Sequence, residues 1–287
     1  MRMKDRMFMH LHNWMKNIGD DVSLKDINIP GTHDSSTKYC QFSLFASCQK
    51  KSIAEQLSMG VRAFDIRVDG MTLVHSFCKC KESLFGKNLT LDKVIGDMFS
   101  FLTENPTETI VMLFKMDKGE DSGKCFSMLY ENFIVNNPEK WYLENEIPTL
   151  GEVRGKIVLV RRTDADYEKS GLDFTMMPDH GGMKETSSSS FSPNGTDTVT
   201  VQDRYSLLRK KKWKQSVKPL LEKSKEHKNN LILNYFSTAG IPVIPRFNSK
   251  HINRKFLSYY MKNKNHYGIL MFDFIDEKIA EKVIKTN

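Results

Sequence analysis

Residues 109–116 read TIVMLFKM, and residues 156–162 read KIVLVRR. Within each run the consecutive apolar side chains point to both faces of an extended chain. Strands that are apolar on both faces are typical of parallel sheets with helices packed on each side. These two stretches therefore predict an α/β protein built on a largely parallel sheet.

Similar short apolar runs alternate with helical patterns along the whole chain. The candidate strands are residues 26–30, 62–68, 71–75, 109–116, 156–162, 198–202, 230–236 and 267–275. The candidate helices are residues 91–103, 217–228, 251–262 and 277–285, each with apolar residues at helical spacing. About eight strands alternating with helices predict a distorted TIM-type (β/α)8 barrel. An open doubly wound sheet is the architectural alternative, although no Gly-x-Gly-x-x-Gly motif follows any of the strands.

Composition narrows the class of protein. Apolar residues make up 39% and charged residues 27% of the 287 residues, which argues against disorder over the whole length. No long linker interrupts the pattern, so we expect one domain over residues 1–287. The net charge of +8 suits an anionic membrane, a phosphorylated substrate or nucleic acid. No nucleic-acid recognition motif is present, so we expect no nucleic-acid partner.

Cysteine usage and the termini give further expectations. The five cysteines, at positions 40, 48, 78, 80 and 125, are odd in number and lack the spacing of a disulfide framework or a zinc knuckle. We expect them to be ordinary, partly buried thiols. No apolar run reaches the roughly 20 residues of a membrane span, and residues 1–20 lack the apolar core of a signal peptide. Two locations therefore stay open: the cytoplasm, or the outside of the cell if an export signal has been removed.

Ionisable residues collect where the predicted strands end. Residues 30–35 read PGTHDS, and we expect Pro30-Gly31 to break the first strand and to leave His33 and Asp34 at the rim. On the second strand, Asp65 and Arg67 share one face by the two-residue period. The other such groups are His75, Lys115, Asp117, Arg161, Arg162, Asp203, Tyr205 and Asp273. Any one of them could be structural, but together at the active-site end of a barrel they favour a catalytic site.

These residue types suit one reaction. Two histidines have ordinary pKa values near 6.5, so one can act as base and the other as acid near neutral pH. Arg67 can fork onto two phosphate oxygens and stabilise a pentacoordinate anion. Carboxylates beside the histidines fix their tautomers. Together they predict cleavage of a phosphodiester bond by an internal hydroxyl.

The motifs at residues 27–35 (INIPGTHDS) and 64–67 (FDIR) resemble the bacterial-type phosphatidylinositol-specific phospholipase C family. The resemblance continues in order through residues 105–110, 154–159, 199–203 and 272–275, and so covers nearly the whole chain. It implies a distorted TIM barrel that cleaves phosphatidylinositol to diacylglycerol and inositol 1,2-cyclic phosphate. It also implies no metal, because Arg67 stands where calcium-dependent relatives hold the ion, and no other cofactor.

The resemblance assigns roles to the acid–base groups. His33 would be the general base that deprotonates the inositol 2-hydroxyl, paired with Asp273. His75 would be the general acid that protonates the diacylglycerol oxygen, assisted by Asp34.

The same resemblance assigns the residues that bind the substrate. Arg67 would hold the phosphate, with Asp65 beside it. The inositol pocket would be lined by Lys115, Arg162, Asp203 and Tyr205, with the tyrosine ring stacking on the sugar.

Three departures concern the second histidine. His75 is followed by Ser76 where the family usually has glycine, and the usual Asp-Ser-Gly is Asp34-Ser35-Ser36. The span between Arg67 and His75 is also short. These differences bear on how His75 is placed rather than on its identity.

The expected partner is an inositol phospholipid at a membrane surface, with no obligate protein partner indicated. Apolar residues 42–45 and 241–245 lie after predicted strands at one rim, and residues 209–214 form a basic-aromatic run. Apolar tips flanked by cations suit a membrane with anionic lipid. The alternative is that the two loops pack on each other and that the run is a solvated helix face.

Two other functions stay open at this point. One is a metal-dependent glycerophosphodiester phosphodiesterase on the same barrel, which needs carboxylates for a cation in place of Arg67. The other is a non-catalytic phosphoinositide-binding module. The sequence also leaves open whether the lipid is plain or glycosylated phosphatidylinositol.

Overall fold

A computed structural model describes residues 11–40, 46–119, 121–181, 188–240 and 244–287. In this part of the chain twelve strands join in one curled sheet. They are β1 (Ile29–Thr32), β2 (Ala63–Asp69), β3 (Thr72–His75), β4 (Cys78–Lys79), β5 (Ile110–Met116), β6 (Trp141–Tyr142), β7 (Ile157–Arg161), β8 (Leu172–Asp173), β9 (Ser189–Phe191), β10 (Val199–Gln202), β11 (Leu231–Tyr235) and β12 (Ile269–Phe272).

The main path through the sheet is β6-β7-β5-β2-β1-β12-β11-β10-β9, and β8 also pairs with β7. All neighbours on this path are parallel except β9, which is antiparallel to β10. No strand pairing among the described residues joins the β6 and β8 side to β9, so the barrel is open there. This architecture agrees with the predicted distorted barrel.

The helices connect the strands. They are α1 (Ile53–Ser58), α2 (Leu91–Glu104), α3 (Ser122–Leu129), α4 (Leu150–Val153), α5 (Arg209–Lys212), α6 (Lys218–Lys223), α7 (Pro245–Ser258) and α8 (Glu277–Ile284). Within the described ranges, none of the helices has the length and apolar character needed to cross a membrane.

The sheet has an apolar core on each face, as the doubly apolar strands predicted. On β5, Ile110, Met112 and Phe114 pack in a cluster with helix residues, whereas Val111 and Leu113 belong to a second cluster. The second cluster combines inward-facing residues of successive barrel strands with residues from the segments that precede and connect them, such as Trp14 and Leu150. It fills the interior of the barrel below the carboxyl ends of the strands.

The prediction that Pro30-Gly31 ends the first strand is wrong. Both residues lie inside β1, where the Pro30 carbonyl accepts a hydrogen bond of 3.0 Å from the Arg62 amide. A Cβ atom on Gly31 would lie 2.5 Å from Met271 Sδ and 3.0 Å from Ala63 Cβ. Glycine is present here because the neighbouring strands approach the backbone too closely for a side chain.

The third predicted strand is also placed differently. β3 pairs antiparallel with β2 and with β4, and so lies off the barrel path. A two-residue turn after Asp69 reverses the chain, which a parallel barrel strand could not follow directly. His75 therefore lies outside the barrel strands. We call residues 72–87, which contain β3, β4 and the segment after them, the hairpin arm.

Other boundaries differ as well. The helix predicted at residues 251–262 is α7, which begins at Pro245, a residue favoured in the first helical turn. The edge strand β9 is absent from the candidate strands predicted from the sequence. In the basic run, Lys212 and Trp213 are buried, so neither can contact a membrane. The apolar residues 42–45 and 241–243 lie outside the described residues.

Candidate active site

The site residues continue the inward face of the barrel. On β5, Val111 and Leu113 face the interior, and Lys115 follows them at the same two-residue period. At the carboxyl ends of the other strands the corresponding inward positions are held by His33, Asp65, Arg67, Arg162, Asp203 and Asp273. The inward-facing side chains are thus apolar in the interior of the barrel and ionisable at the carboxyl ends of the strands, where the active sites of such barrels lie.

His33 is held between two carboxylates. Its Nδ1 atom lies 2.9 Å from Asp273 Oδ1, and its Nε2 atom lies 3.2 Å from Asp34 Oδ2. Burial of the ring lowers the pKa of His33, but the charges of Asp34 and Asp273 outweigh it and raise the pKa to about 9. The substrate-free arrangement therefore favours a protonated His33 near neutral pH.

His75 faces the same carboxylate from the hairpin arm. Its Nε2 atom lies 3.1 Å from Asp34 Oδ2, and its Nδ1 atom lies 2.7 Å from the carbonyl oxygen of Ala46. A carbonyl oxygen only accepts hydrogen bonds, so Nδ1 must carry a proton. Because both ring nitrogens face hydrogen-bond acceptors, a ring with a proton on each nitrogen can donate to both of them. Such a ring is a proton donor.

Arg67 sits among three carboxylates. Its Nε and Nη2 atoms donate to Asp65 Oδ2 at 3.1 and 2.9 Å, and Nε lies 2.9 Å from Asp34 Oδ1. Its Nη1 atom is 3.5 Å from Asp117 Oδ2, a long contact that leaves this end of the guanidinium available. Burial raises the pKa of the Asp65 carboxyl, but Arg67 and His33 hold it below its usual range.

A cleft of about 340 Å³ opens in front of these groups. Tyr205 Oη donates to Asp179 Oδ2 at 3.3 Å, and Lys115 Nζ lies 3.0 Å from Asp117 Oδ1. The cleft is lined by His33, Arg67, His75, Ser76, Lys115, Asp117, Arg162, Asp179, Asp203, Tyr205 and Ala239.

All ten residues proposed from the sequence are brought together at this end of the barrel. Seven of them line the cleft, and the other three, Asp34, Asp65 and Asp273, are buried behind it. Those three contact His33 or Arg67 directly.

Three neighbours of these residues were not predicted as site residues from the sequence. Asp117 was noted at a strand end but was given no role. Asp179 does not follow a predicted strand, so the strand pattern gives no indication of its position. Gln49 is buried, and its Nε2 atom donates to the carbonyl oxygens of His33 and Phe272, which joins the ends of β1 and β12. No period or motif marks such a residue in the sequence.

The serine that follows His75 adopts a glycine-like conformation. Ser76 has a φ of 54°, a left-handed value that costs a residue with a side chain about 1–2 kcal/mol. The Ser76 amide donates to Asp117 Oδ2 at 3.0 Å, which holds this turn in place. The departure from the family pattern therefore leaves His75 beside Asp34.

Two carboxylates that could bind a metal ion already contact a cation, Arg67. His33, Asp34 and Asp65 offer ligand atoms within 4.8 Å of one another. However, the carboxylates of Asp34 and Asp65 each contact the Arg67 guanidinium at 2.9 Å. A divalent ion here would have to compete with a partly buried arginine that carries the same sign of charge.

Comparisons with known proteins agree with this geometry. The family profile described as "Phosphatidylinositol-specific phospholipase C, X domain" matches residues 27–163. A 1-phosphatidylinositol phosphodiesterase of Staphylococcus aureus (strain Newman) is 34% identical over 96% of this chain and 94% of its own length. A protein of the same name from Listeria monocytogenes is 26% identical over 96% of this chain and 84% of its own length.

Solved structures give the same result. A phosphatidylinositol-specific phospholipase C from Listeria monocytogenes superposes with a TM-score of 0.76 at 25% identity, covering 96% of this chain and 98% of its own. A Staphylococcus aureus enzyme, from work on its membrane binding, superposes with a TM-score of 0.77 at 28% identity, covering 98% and 99%. The predicted barrel class and the predicted family are thereby confirmed. This chain belongs to the bacterial phosphatidylinositol-specific phospholipase C family and is an enzyme of the phospholipase C type.

Proposed function

We propose that this protein cleaves phosphatidylinositol, plain or glycosylated, to diacylglycerol and inositol 1,2-cyclic phosphate without a metal. The observation that carries the proposal is the position of Asp34 Oδ2, which lies 3.2 Å from His33 Nε2 and 3.1 Å from His75 Nε2. Two imidazoles thus point at one place from different sides, with Arg67 beside them. This is the arrangement that a base, an acid and a phosphate clamp require.

The reaction follows from which groups can accept and donate protons. The inositol 2-hydroxyl takes the place of Asp34 at His33 Nε2, and that nitrogen accepts its proton. The oxygen attacks phosphorus, the bond from phosphorus to the diacylglycerol oxygen breaks, and His75 gives its proton to the departing oxygen. Asp273 holds the Nδ1 proton of His33 and stabilises the imidazolium that forms.

The negative charge that develops on phosphorus needs a fixed cation. Arg67 is held by three carboxylates and cannot be deprotonated, so it can supply that charge without a metal ion. Lys115, Arg162, Asp203 and Tyr205 line the same cleft and provide donors, acceptors and an aromatic face for a polyhydroxylated ring.

Phosphorus NMR of the products formed from phosphatidylinositol, with a chelator present, tests the function. We expect the resonance of a cyclic phosphodiester to accumulate at a rate unaffected by the chelator. Activity that disappears with the chelator and returns with a divalent cation would favour the metal-dependent phosphodiesterase. Lipid binding without turnover would favour the non-catalytic module.

We also propose that the hairpin arm contacts the membrane. Phe77, Leu84 and Phe85 expose 70, 65 and 92% of their surface just after His75. Lys79 and Lys87 are exposed on the same arm. Exposed apolar side chains among lysines suit a membrane that contains anionic lipid, and this arm adjoins the cleft.

Replacing Phe85 with serine is expected to weaken binding to vesicles of phosphatidylglycerol and phosphatidylcholine by about tenfold, because the large apolar side chain no longer enters the bilayer. Centrifugation with the vesicles measures the binding. Turnover of a monomeric short-chain substrate should stay unchanged, because Phe85 does not line the cleft. Val135→Ser, at a site 57% exposed outside the arm, is the matched control. Equal vesicle binding by both variants would contradict the proposed contact.

A further inference from the structure

Three of the five cysteines meet beside the active site. Cys40 follows the turn that carries His33 and Asp34, whereas Cys78 and Cys80 lie on the hairpin arm after His75. All three are buried, and their thiols lie close enough together to affect one another's pKa. Cysteines about 40 residues apart in sequence are thus brought to one place, which the spacing of the cysteines did not predict.

The backbone places Cys40 directly opposite Cys80. These two residues form an antiparallel β-bridge, and beside it the Lys81 amide donates to the Tyr39 carbonyl at 2.6 Å. That hydrogen bond joins the residues flanking the pair, so Cys40 and Cys80 occupy a non-hydrogen-bonded position. Opposed residues at such positions have Cα atoms about 4.5 Å apart and their side chains at closest approach. This separation lies within the range that a disulfide spans.

Although both residues of the pair are buried, Cys40 is slightly exposed and borders a cleft. Cys40 lines a cleft of about 450 Å³ whose other lining residues include Lys38 and Lys81. Cys80 is fully buried behind it. An oxidant that enters this cleft therefore meets Cys40 first, among side chains that attract an anionic reagent.

We propose that Cys40 and Cys80 form a site of reversible disulfide formation, driven by a small-molecule disulfide such as oxidised glutathione. The Cys40 thiolate attacks the oxidant, forms a mixed disulfide and releases one glutathione thiolate. The Cys80 thiolate then attacks the Cys40 sulfur and releases the second. The two cysteine sulfurs are oxidised, the glutathione disulfide is reduced, and the two protons of the cysteine thiols pass through solvent to the two released thiolates, which leave as glutathione thiols.

The bond would brace the two segments that hold His75. Cys80 lies on the arm that carries His75, and Cys40 belongs to the segment that leads to Ala46, whose carbonyl oxygen binds His75 Nδ1. A covalent link between the segments limits their separation when the protein is heated. The oxidised protein should therefore keep both its fold and the position of the proton donor to higher temperature.

The environment also determines how fast the bond forms. Burial, with smaller contributions from Cys78 and Asp34, raises the pKa of the Cys40 thiol to about 12. The thiolate is the attacking species. At pH values below the pKa, its fraction grows about tenfold for each unit by which the pH rises. Closure should thus be slow at pH 7 and about tenfold faster at pH 8.

The test compares full-length protein kept in reductant with protein incubated with oxidised glutathione, followed by alkylation and peptide mass mapping. We expect a cross-linked peptide pair that joins Cys40 to Cys80, and a rise in Tm of roughly 5–10 °C. Cys125→Ser, which removes a buried cysteine outside this group, should behave like the wild type. Cys40→Ser and Cys80→Ser should show neither the cross-link nor the rise.

Three results would overturn the proposal. One is the absence of the Cys40–Cys80 peptide from folded protein under conditions in which the urea-unfolded chain forms disulfides. The second is a cross-link of Cys40 to Cys78 or Cys48. The third is a rise in Tm that persists in both Cys80→Ser and Cys80→Ala. The alanine variant separates loss of the thiol from the cost of a buried hydroxyl.

Discussion

Replacing His33 with alanine is expected to lower kcat for phosphatidylinositol cleavage by about 10³–10⁴-fold, because the general base is lost. The change leaves Asp34, Asp65, Arg67 and the cleft in place, so KM should change far less. Production of inositol phosphates from mixed vesicles measures the rate. His251→Ala, which removes a histidine outside the cleft, should keep full activity. Cyclic phosphate formation by His33→Ala at the wild-type rate would refute the mechanism.

The pH dependence gives an independent check on the same residue. A base with a pKa of about 9 in the free enzyme is mostly protonated at pH 7, so kcat/KM for a monomeric substrate should rise with pH toward about 9. Asp273→Asn removes one of the two carboxylates that raise this pKa, and should move the rising limb to lower pH. A limb that stays in place in Asp273→Asn would show that another group titrates.

The same shift predicts how stability depends on pH. The pKa of His33 is raised in the folded protein above its ordinary value of 6.5. Its contribution to stability is therefore complete below about pH 6.5 and is lost as the pH rises through about 9. In Asp273→Asn this loss should occur at lower pH, which thermal unfolding across the range can follow.

Much of the site was accessible from the sequence because barrel strands obey a strict two-residue period. Once Val111 and Leu113 are taken as inward-facing, Lys115 must share their face, and the same reasoning holds for Asp65 and Arg67. The apolar runs therefore identified both the barrel and the direction of the polar residues at its rim. The motif around His33 then indicated which strand carries the histidine that we propose as the base.

The remainder depends on contacts between segments distant in sequence. The run at residues 71–75 (MTLVH) predicts a strand equally well whether it joins the barrel or folds back as a hairpin, so the prediction misplaced the arm that carries His75. Asp117 belongs to the site because the Ser76 amide and the Arg67 guanidinium, from distant parts of the sequence, both contact its carboxylate. Local turn preference alone predicts a strand end at Pro30-Gly31, whereas the close packing of Met271 and Ala63 is visible only in the fold.

Replacing Arg67 with lysine is a conservative change that should nevertheless lower kcat strongly. Arg67→Lys keeps the positive charge but loses the planar fork, and we expect kcat to fall by about 10²–10³-fold with a much smaller change in KM. The loss falls on kcat because the extra charge on the phosphate oxygens develops only in the transition state. Steady-state kinetics with a monomeric substrate separates the two constants. Arg161→Lys provides the matched control, since Arg161 ends β7 but pairs with Asp173 outside the cleft.

Full removal of the charge should damage the fold as well as the activity. Arg67→Ala leaves Asp34, Asp65 and Asp117 facing one another without their shared cation, and the side chains of the first two are fully buried. We expect a loss of about 3–5 kcal/mol in the free energy of unfolding, measured by urea titration. Arg67→Lys should lose much less, since an ammonium group can still lie among the carboxylates. A lysine variant with normal kcat would show that the phosphate charge is balanced elsewhere, and chelator-sensitive activity in that variant would identify a metal ion as the source.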